Sequence, residues 1–325
     1  MRYFLITIDT EGDNLWSVSN IKDVITTDNA SYLSRFQELC EQYDFIPTYL
    51  VNYEMAIDER MAELGREGLK EKKLEIGSHV HAWNQPPYFP IIKRYGKRGK
   101  PFLGEYSRMI IRRKLEYLTK MLEDIFQCPI LSHRGGRWYM DEIILNELTK
   151  LGYKVDCSVT PGVSWESNRG WSPGSIGPDY TDFSNKVVEL GIHKKGKVVP
   201  SGVLEIPVTV SSLKEGSRKY WLRPTGGNLR QMKLLIDKAS DENRGYVEFM
   251  LHSSELMPGG SPTFKNRGMI EYLYRDMDEL FSYAKENGYE GIGLSGYAER
   301  VRGTIQEDEE IETCNLNKFS IHRGS

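Results

Sequence analysis

Five short stretches of this chain carry residues whose types and spacing suit chemistry. Asp9-Thr10-Glu11-Gly12-Asp13 places three carboxylates at alternate positions, and His79-Val80-His81 places two imidazoles two residues apart. His133-Arg134 precedes Gly135-Gly136-Arg137-Trp138, Asp156 stands alone in an apolar run, and His252-Ser253-Ser254-Glu255 follows Tyr246–Leu251. In extended backbone, residues i and i+2 point to the same side, so His79 and His81 can face one point. Two neutral imidazoles plus a carboxylate form a facial set for Zn²⁺ or a similar divalent ion, with positions left for water and substrate. The plain alternative is that both rings make structural hydrogen bonds. Three crowded carboxylates repel unless a cation or an arginine compensates them, or unless they form a solvated turn. Arg134 can supply part of that compensation through a bidentate bond that holds one carboxylate ionised. His252 is placed to be a second proton-transfer group.

Each stretch ends a segment that reads as a strand. Residues 3–8 are a continuous apolar, β-branched run, as a buried strand requires. Further strands are expected at 46–51, 74–79, 130–134, 153–158, 203–208, 246–252 and 289–295. Between them lie amphipathic helices: one on Leu33, Phe36, Cys40 and Tyr43, a charged one near 55–72, and the longest on Ile111, Leu115, Leu118, Leu122 and Ile125. Others fall at 140–151, near 228–239 and near 268–285. Residues 83–105 read as a long loop, and 160–202 as either a functional loop or a small accessory hairpin. Seven or eight βα units with no break suggest an α/β fold closed as a parallel barrel, as one domain over residues 1–303. A doubly wound open sheet is the alternative, though no glycine-rich phosphate turn follows the first strand. In a barrel the chemistry gathers at the C-terminal strand ends, where four of the six histidines lie.

Composition narrows the function. The chain has 325 residues, 43 basic and 46 acidic, for a formal charge of −3. That balance argues against gripping nucleic acid, which needs a basic surface. No apolar run reaches the roughly 18 residues of a membrane span. Cys40, Cys128, Cys157 and Cys314 are far apart and read as reduced thiols. Residues 307–312 hold five acidic residues in six, so 304–325 is expected to be an acidic solvated tail. Lys93–Lys100 is a basic cluster that suits an anionic, nucleotide-linked or lipid-linked sugar, or simply a solvated loop. The first residues do not read as a signal peptide, so a cytoplasmic protein is expected.

Taken in order, Thr7-x-Asp9, Gly77-Ser78-His79, the Arg134 turn and Leu251-His252 resemble the polysaccharide deacetylase superfamily (NodB homology, carbohydrate esterase family 4) over residues 3–300. The resemblance implies a distorted (β/α)7-type barrel and metal-dependent removal of an acyl group, most simply N-acetyl, from an amino sugar. It implies Asp9 as catalytic base, Arg134 as the arginine that orients it, His252 as general acid and His79 as a metal ligand. Two departures matter. Thr10 stands where the family commonly has a second Asp, which makes Glu11 the metal carboxylate with Asp13 as its substitute. Trp83 stands four residues after His79, where the second histidine usually lies, which leaves His81 as that ligand.

The cofactor expected is therefore one divalent metal, zinc by donor type, and the partner a carbohydrate. An intermediate of surface-polysaccharide synthesis, such as O-antigen, fits an intracellular enzyme better than a finished wall polymer does. Trp83, Trp138, Asp156, Glu255, Gly259 and Gly260 are the substrate-binding candidates, with Tyr88, Phe89, Trp165 and Trp171 as further loop aromatics. The loop 253–264 is expected to offer backbone N–H groups to a sugar. Two rivals are an inactive carbohydrate-binding barrel and a metal-independent barrel glycosidase built on paired carboxylates.

Overall fold

A computed structural model describes residues 1–15, 25–89, 99–214, 216–304 and 311–316. Most of the basic cluster, 93–98, and residues 307–310 of the acidic stretch lie outside the described residues. In chain order the elements begin β1 (Arg2–Thr10), α1 (Leu33–Gln42), β2 (Pro47–Val51), α2 (Tyr53–Ala56), α3 (Glu59–Glu71) and β3 (Glu75–Val80). There follow α4 (Arg108–Phe126), β4 (Ser132–Gly135), α5 (Glu142–Leu151), β5 (Val155–Asp156), β6 (Val188–Lys194) and β7 (Lys197–Glu205). The rest are β8 (Val210–Ser212), β9 (Lys219–Trp221), α6 (Leu229–Asp241), β10 (Tyr246–His252), α7 (Arg267–Glu286), β11 (Tyr289–Gly291), α8 (Leu294–Thr304) and β12 (Thr313–Asn315). This is the α/β alternation expected from the sequence.

The chain forms two compact units, Met1–Ile76 with Val208–Tyr297, and Gly77–Pro207 with Ala298–Ser325. In the first, β1 pairs in parallel with β10, β2 and β11. A strand so enclosed needs apolar side chains on both faces, and Phe4–Thr10 are all buried. Phe4 stacks on Phe45 at 5.0 Å between centroids, and Phe281 meets both Phe4 and Phe249 edge-on at 5.6 Å. Phe281 belongs to the α7 stripe of Ile270, Leu273, Tyr274, Met277, Leu280 and Ala284, spaced to present one helical face. The register sets Asp9 opposite His252.

In the second unit, β3 pairs with β4, β4 with β5 and β5 with β7, all in parallel. Antiparallel β6 adds to β7, and β12 adds in parallel to β6. The buried face of α4 is Ile110, Ile111, Leu115, Leu118, Leu122 and Phe126. Asp141 caps α5 by accepting from the Ile144 N–H at 2.9 Å.

Two expectations are corrected, and the choice left open at 160–202 between a loop and a hairpin is decided. The helix near 55–72 is two helices, because Asp58 turns extended and caps α3 through the Arg60 N–H. The last strand stops at Gly291 rather than 295, and α8 starts at Leu294. The 160–202 stretch ends in the β6–β7 hairpin, whose turn residues Lys195 and Gly196 both have positive φ, 50° and 77°. That two-residue turn matches the right-handed twist of its strands, and it marks the hairpin in the sequence only by its glycine. The β8–β9 hairpin was not expected at all.

Candidate active site

The first unit builds an acid–base cluster where β1 and β10 end. Asp9 is 3% exposed and Glu11 7%. His252 Nε2 lies 3.7 Å from Asp9 Oδ2 and 3.9 Å from Glu11 Oε1, while its Nδ1 lies 3.3 Å from Glu255 Oε2. Burial pulls the imidazole toward neutrality, but the Glu255 hydrogen bond and the charges of Glu11 and Asp9 outweigh it. The His252 pKa is therefore raised. Glu255 is itself locked: Arg223 Nη2 donates to both its oxygens at 2.9 Å and the His252 N–H donates to Oε2 at 2.9 Å. Burial pushes the Glu255 carboxyl up, yet Arg223 and His252 together bring it below the usual carboxylate range.

Backbone around Glu11 is fixed by a side-chain triangle. Asn29 Nδ2 donates to the Glu11 carbonyl at 2.8 Å and to Ser253 Oγ at 2.7 Å, and Ser253 Oγ accepts from the Glu11 N–H at 3.1 Å. Asp13 accepts hydrogen bonds from the Thr26 hydroxyl and, at 3.3 Å, from the Asn29 N–H. It serves the turn that carries Asn29.

The second unit builds the histidine pair. His79 Nε2 and His81 Nε2 are 2.9 Å apart, a hydrogen bond in which His81 donates when His79 carries its proton on Nδ1, so both ring nitrogens turn to the side that the i, i+2 spacing lets them share. His79 Nδ1 lies 3.0 Å from the Arg134 carbonyl. With the proton on Nδ1 and donated there, Nε2 keeps its lone pair, the tautomer that metal-binding histidines use. His81 stacks on Trp83 at 4.5 Å and 23°. Gly136 makes room for it: a Cβ there would stand 2.5 Å from His81 Cδ2 and 2.6 Å from the Val80 carbonyl. The donor types, the shared focus and the fixed tautomer fit a divalent metal.

Arg134 is fully buried, donates from Nε to the Cys157 carbonyl at 2.9 Å, and lies 5.1 Å from the Trp138 ring centre. Tyr180 donates to the Trp138 carbonyl at 2.7 Å, and Trp138 stacks on Trp165 at 6.3 Å. Arg137 and Trp138 both adopt left-handed backbone, φ 58° and 60°. Tyr88, Phe89 and Trp171 are exposed.

Several of the substrate-binding candidates are buried and already hydrogen-bonded within the chain. Glu255 is 1% exposed and committed to Arg223 and His252, so it acts through His252. Asp156 is fully buried, accepting from the Ser158 N–H at 3.1 Å and hydroxyl at 2.9 Å, with Glu205 opposite it on β7. Burial raises its carboxyl pKa. The Gly259 N–H donates to the Phe264 carbonyl at 2.9 Å and the Gly260 N–H to the Met257 carbonyl at 3.0 Å, so neither is offered to a sugar. A Cβ on Gly260 would stand 2.3 Å from the Ser254 carbonyl, so alanine there would disturb the fold. Sequence reasoning missed Arg223, Asn29, Ser253 and Glu205. Only Ser253 carried a signal, its place beside His252.

No protein-family model matches the sequence, and no curated protein matches it. Among solved structures, a Mycobacterium smegmatis protein assigned to the polysaccharide deacetylases matches with a TM-score of 0.52 at 14% identity, over 94% of this chain and 95% of that one. A 4-alpha-glucanotransferase from Thermococcus litoralis matches with a TM-score of 0.53 at 13% identity, over 92% of this chain and 40% of that one. The Xyl-CE4 domain of a multidomain xylanase from the hindgut metagenome of Trinervitermes trinervoides gives 0.46 at 9%, over 98% and 99%. At these identities the likeness is one of architecture: the chain has the α/β fold of the NodB-type polysaccharide deacetylases.

Proposed function

We propose that this chain is a metal-dependent deacetylase that removes an N-acetyl group from an amino sugar in a polysaccharide or its precursor, with O-antigen-type surface polysaccharides as the setting. The observation that carries the reading is the convergence of His79 Nε2 and His81 Nε2 with the His79 tautomer fixed from behind. Glu11 is the third protein ligand of the proposed set, a mix of two imidazoles and a carboxylate that suits zinc. When bound, such an ion supplies a Lewis acid that polarises the acyl oxygen and makes a bound water more acidic.

The remaining steps belong to the chain's own residues. Asp9 takes a proton from the attacking water as its oxygen bonds to the acyl carbon, and Arg134 keeps that carboxylate ionised. His252, whose pKa is raised, is the proton donor of the proposed reaction. As the tetrahedral centre collapses, the C–N bond breaks and His252 donates its proton to the departing amine. Acetate and a free amino sugar result. Glu255, held by Arg223, keeps the His252 ring oriented throughout.

The test is acetate release from a panel of N-acetylated sugars (free, nucleotide-linked and polymeric), with metal analysis of the same preparation. Release that a chelator abolishes and zinc restores is expected, with metal lost from a His79→Ala/His81→Ala variant that keeps its native circular dichroism. Release indifferent to the chelator would overturn the metal reading in favour of paired-carboxylate chemistry.

A further inference from the structure

Beside the histidine pair, the second unit holds a group of buried polar atoms that nothing in the proposed reaction uses. The Arg137 guanidinium carbon lies 5.2 Å from the centre of the Trp83 ring, and Trp83 in turn stacks on His81. Phe102 lies on the guanidinium too, at 5.9 Å. Trp83 Nε1, Asn84 Nδ2, Asn84 Oδ1 and Arg137 Nε are all buried with no hydrogen-bond partner among the described residues. Trp83 is 7% exposed and Asn84 2%. Three of these four atoms are N–H donors.

Each buried donor left without an acceptor costs about 1–3 kcal/mol, and folded proteins keep such groups mainly where a ligand or water completes them. Arg137 also has no ion pair among the described residues. Glu105, which acts on it through charge, spends its own oxygens on the N–H groups of Phe102, Trp171 and Ser172. Burial lowers the Arg137 pKa against the pull of Glu105, the mark of a cation short of counter-charge. The left-handed backbone at Arg137 and Trp138 is a further cost, of about 1–3 kcal/mol per residue, held at the point where the guanidinium is presented.

The Arg137 cation, whose Nε is one of these donors, with the N–H groups of Trp83 and Asn84, matches an anionic oxygen group best, and the Asn84 carbonyl oxygen would accept from a hydroxyl of the same ligand. We propose that Trp83, Asn84 and Arg137 form an anion subsite next to the histidine pair, which receives a carboxylate or phosphate carried by the substrate sugar. That the ligand is a sugar rests on the deacetylase reading; that it is anionic rests on these residues alone.

The full-length protein, held in excess chelator so that no metal contributes, is titrated with glucuronate, N-acetylglucosamine 1-phosphate and neutral N-acetylglucosamine, followed by tryptophan fluorescence and calorimetry. At least one anion should bind about tenfold or more tighter than the neutral sugar, and the tighter of the two identifies a carboxylate or a phosphate. Arg137→Gln should weaken that anion about 10- to 100-fold, the loss of a charge-assisted hydrogen-bonded contact. Arg137→Lys, which keeps the charge without the fork, should lose an intermediate amount. It also carries the test if the glutamine variant does not fold. Equal affinity for charged and neutral sugars, or wild-type affinity in both variants, would mean that water satisfies these donors and would overturn the proposal. Failure of the deacetylase reading would show separately, as no acetate release from any sugar while the anion titration keeps its outcome.

Discussion

Replacing His133 by leucine should make the fold more resistant to acid. His133 is fully buried on β4, with Nδ1 3.0 Å from Ser78 Oγ, the Tyr153 ring edge-on at 5.9 Å, and no hydrogen-bond partner for Nε2 among the described residues. Burial first, then the nearby charges of His79 and Arg134, lower its pKa to about 3. In the unfolded chain the value is about 6.5. Between those limits the unfolded state takes a proton that the native state refuses, so stability is lost as pH falls from about 6.5 toward 3. At pH 4.5 the gap is about two units, or roughly 2–3 kcal/mol at about 1.4 kcal/mol per unit. Leucine removes that penalty but also the Ser78 bond, worth about 1 kcal/mol. The variant should therefore be slightly less stable than wild type at pH 7.5 and more stable at pH 4.5. Urea unfolding followed by circular dichroism at pH 7.5, 6.5, 5.5 and 4.5, in chelator, measures the difference directly. A gap between the two proteins that stays constant with pH would refute the assignment of a neutral, protected imidazole.

Three further outcomes are expected. Asp9→Asn should lower turnover by about two to four orders of magnitude with little change in metal content, and surviving activity would remove Asp9 from the reaction. Gly136→Ala, whose Cβ meets the His81 ring, should weaken metal binding about tenfold or more in a competition with a chromophoric chelator. Unchanged affinity with a native spectrum would show that the ring has room to spare. Glu255→Gln should cost about 2–4 kcal/mol in urea unfolding, because it leaves Arg223 without its charge partner, and should lower the His252 pKa seen by NMR. A change under about 0.5 kcal/mol would mean that the pair is spent on solvent.

What could be read from the residues followed from local rules. Strand alternation predicts that His79 and His81 share a side, and a buried apolar run predicts β1, because both depend on neighbours in sequence. The partners that tune the groups do not. Arg223 reaches Glu255 across 32 residues and Asn29 reaches Ser253 across 224, spacings that no local pattern encodes. Backbone hydrogen bonding was equally hidden: Gly259 and Gly260 read as free donors until the 253–264 loop folded onto its own carbonyls. Asp58 illustrates the same limit for helices, since a capping residue inside a charged run looks like one more surface acid.

The pairing of β1 with β10 has a consequence for how the protein is made. Asp9 and His252 become neighbours only after about 250 residues have been joined, since Asp9 pairs in register with His252 and Thr7 Oγ1 donates to Glu248 across 241 positions. At roughly 5–20 residues per second of synthesis, the carboxylate strand waits on the order of ten seconds or more for that edge to be covered. Residues 77–207, by contrast, lie together in the sequence and make up most of the second unit, which only Ala298–Ser325 completes later. During translation the histidine pair can thus take shape before the acid–base cluster exists, and a nascent chain released early would carry Asp9 and Glu11 without His252 and Glu255. In that interval β1 presents an unpaired, apolar strand edge, so slow codons or chaperone contacts near residues 208–250 are where the yield of active protein would be decided.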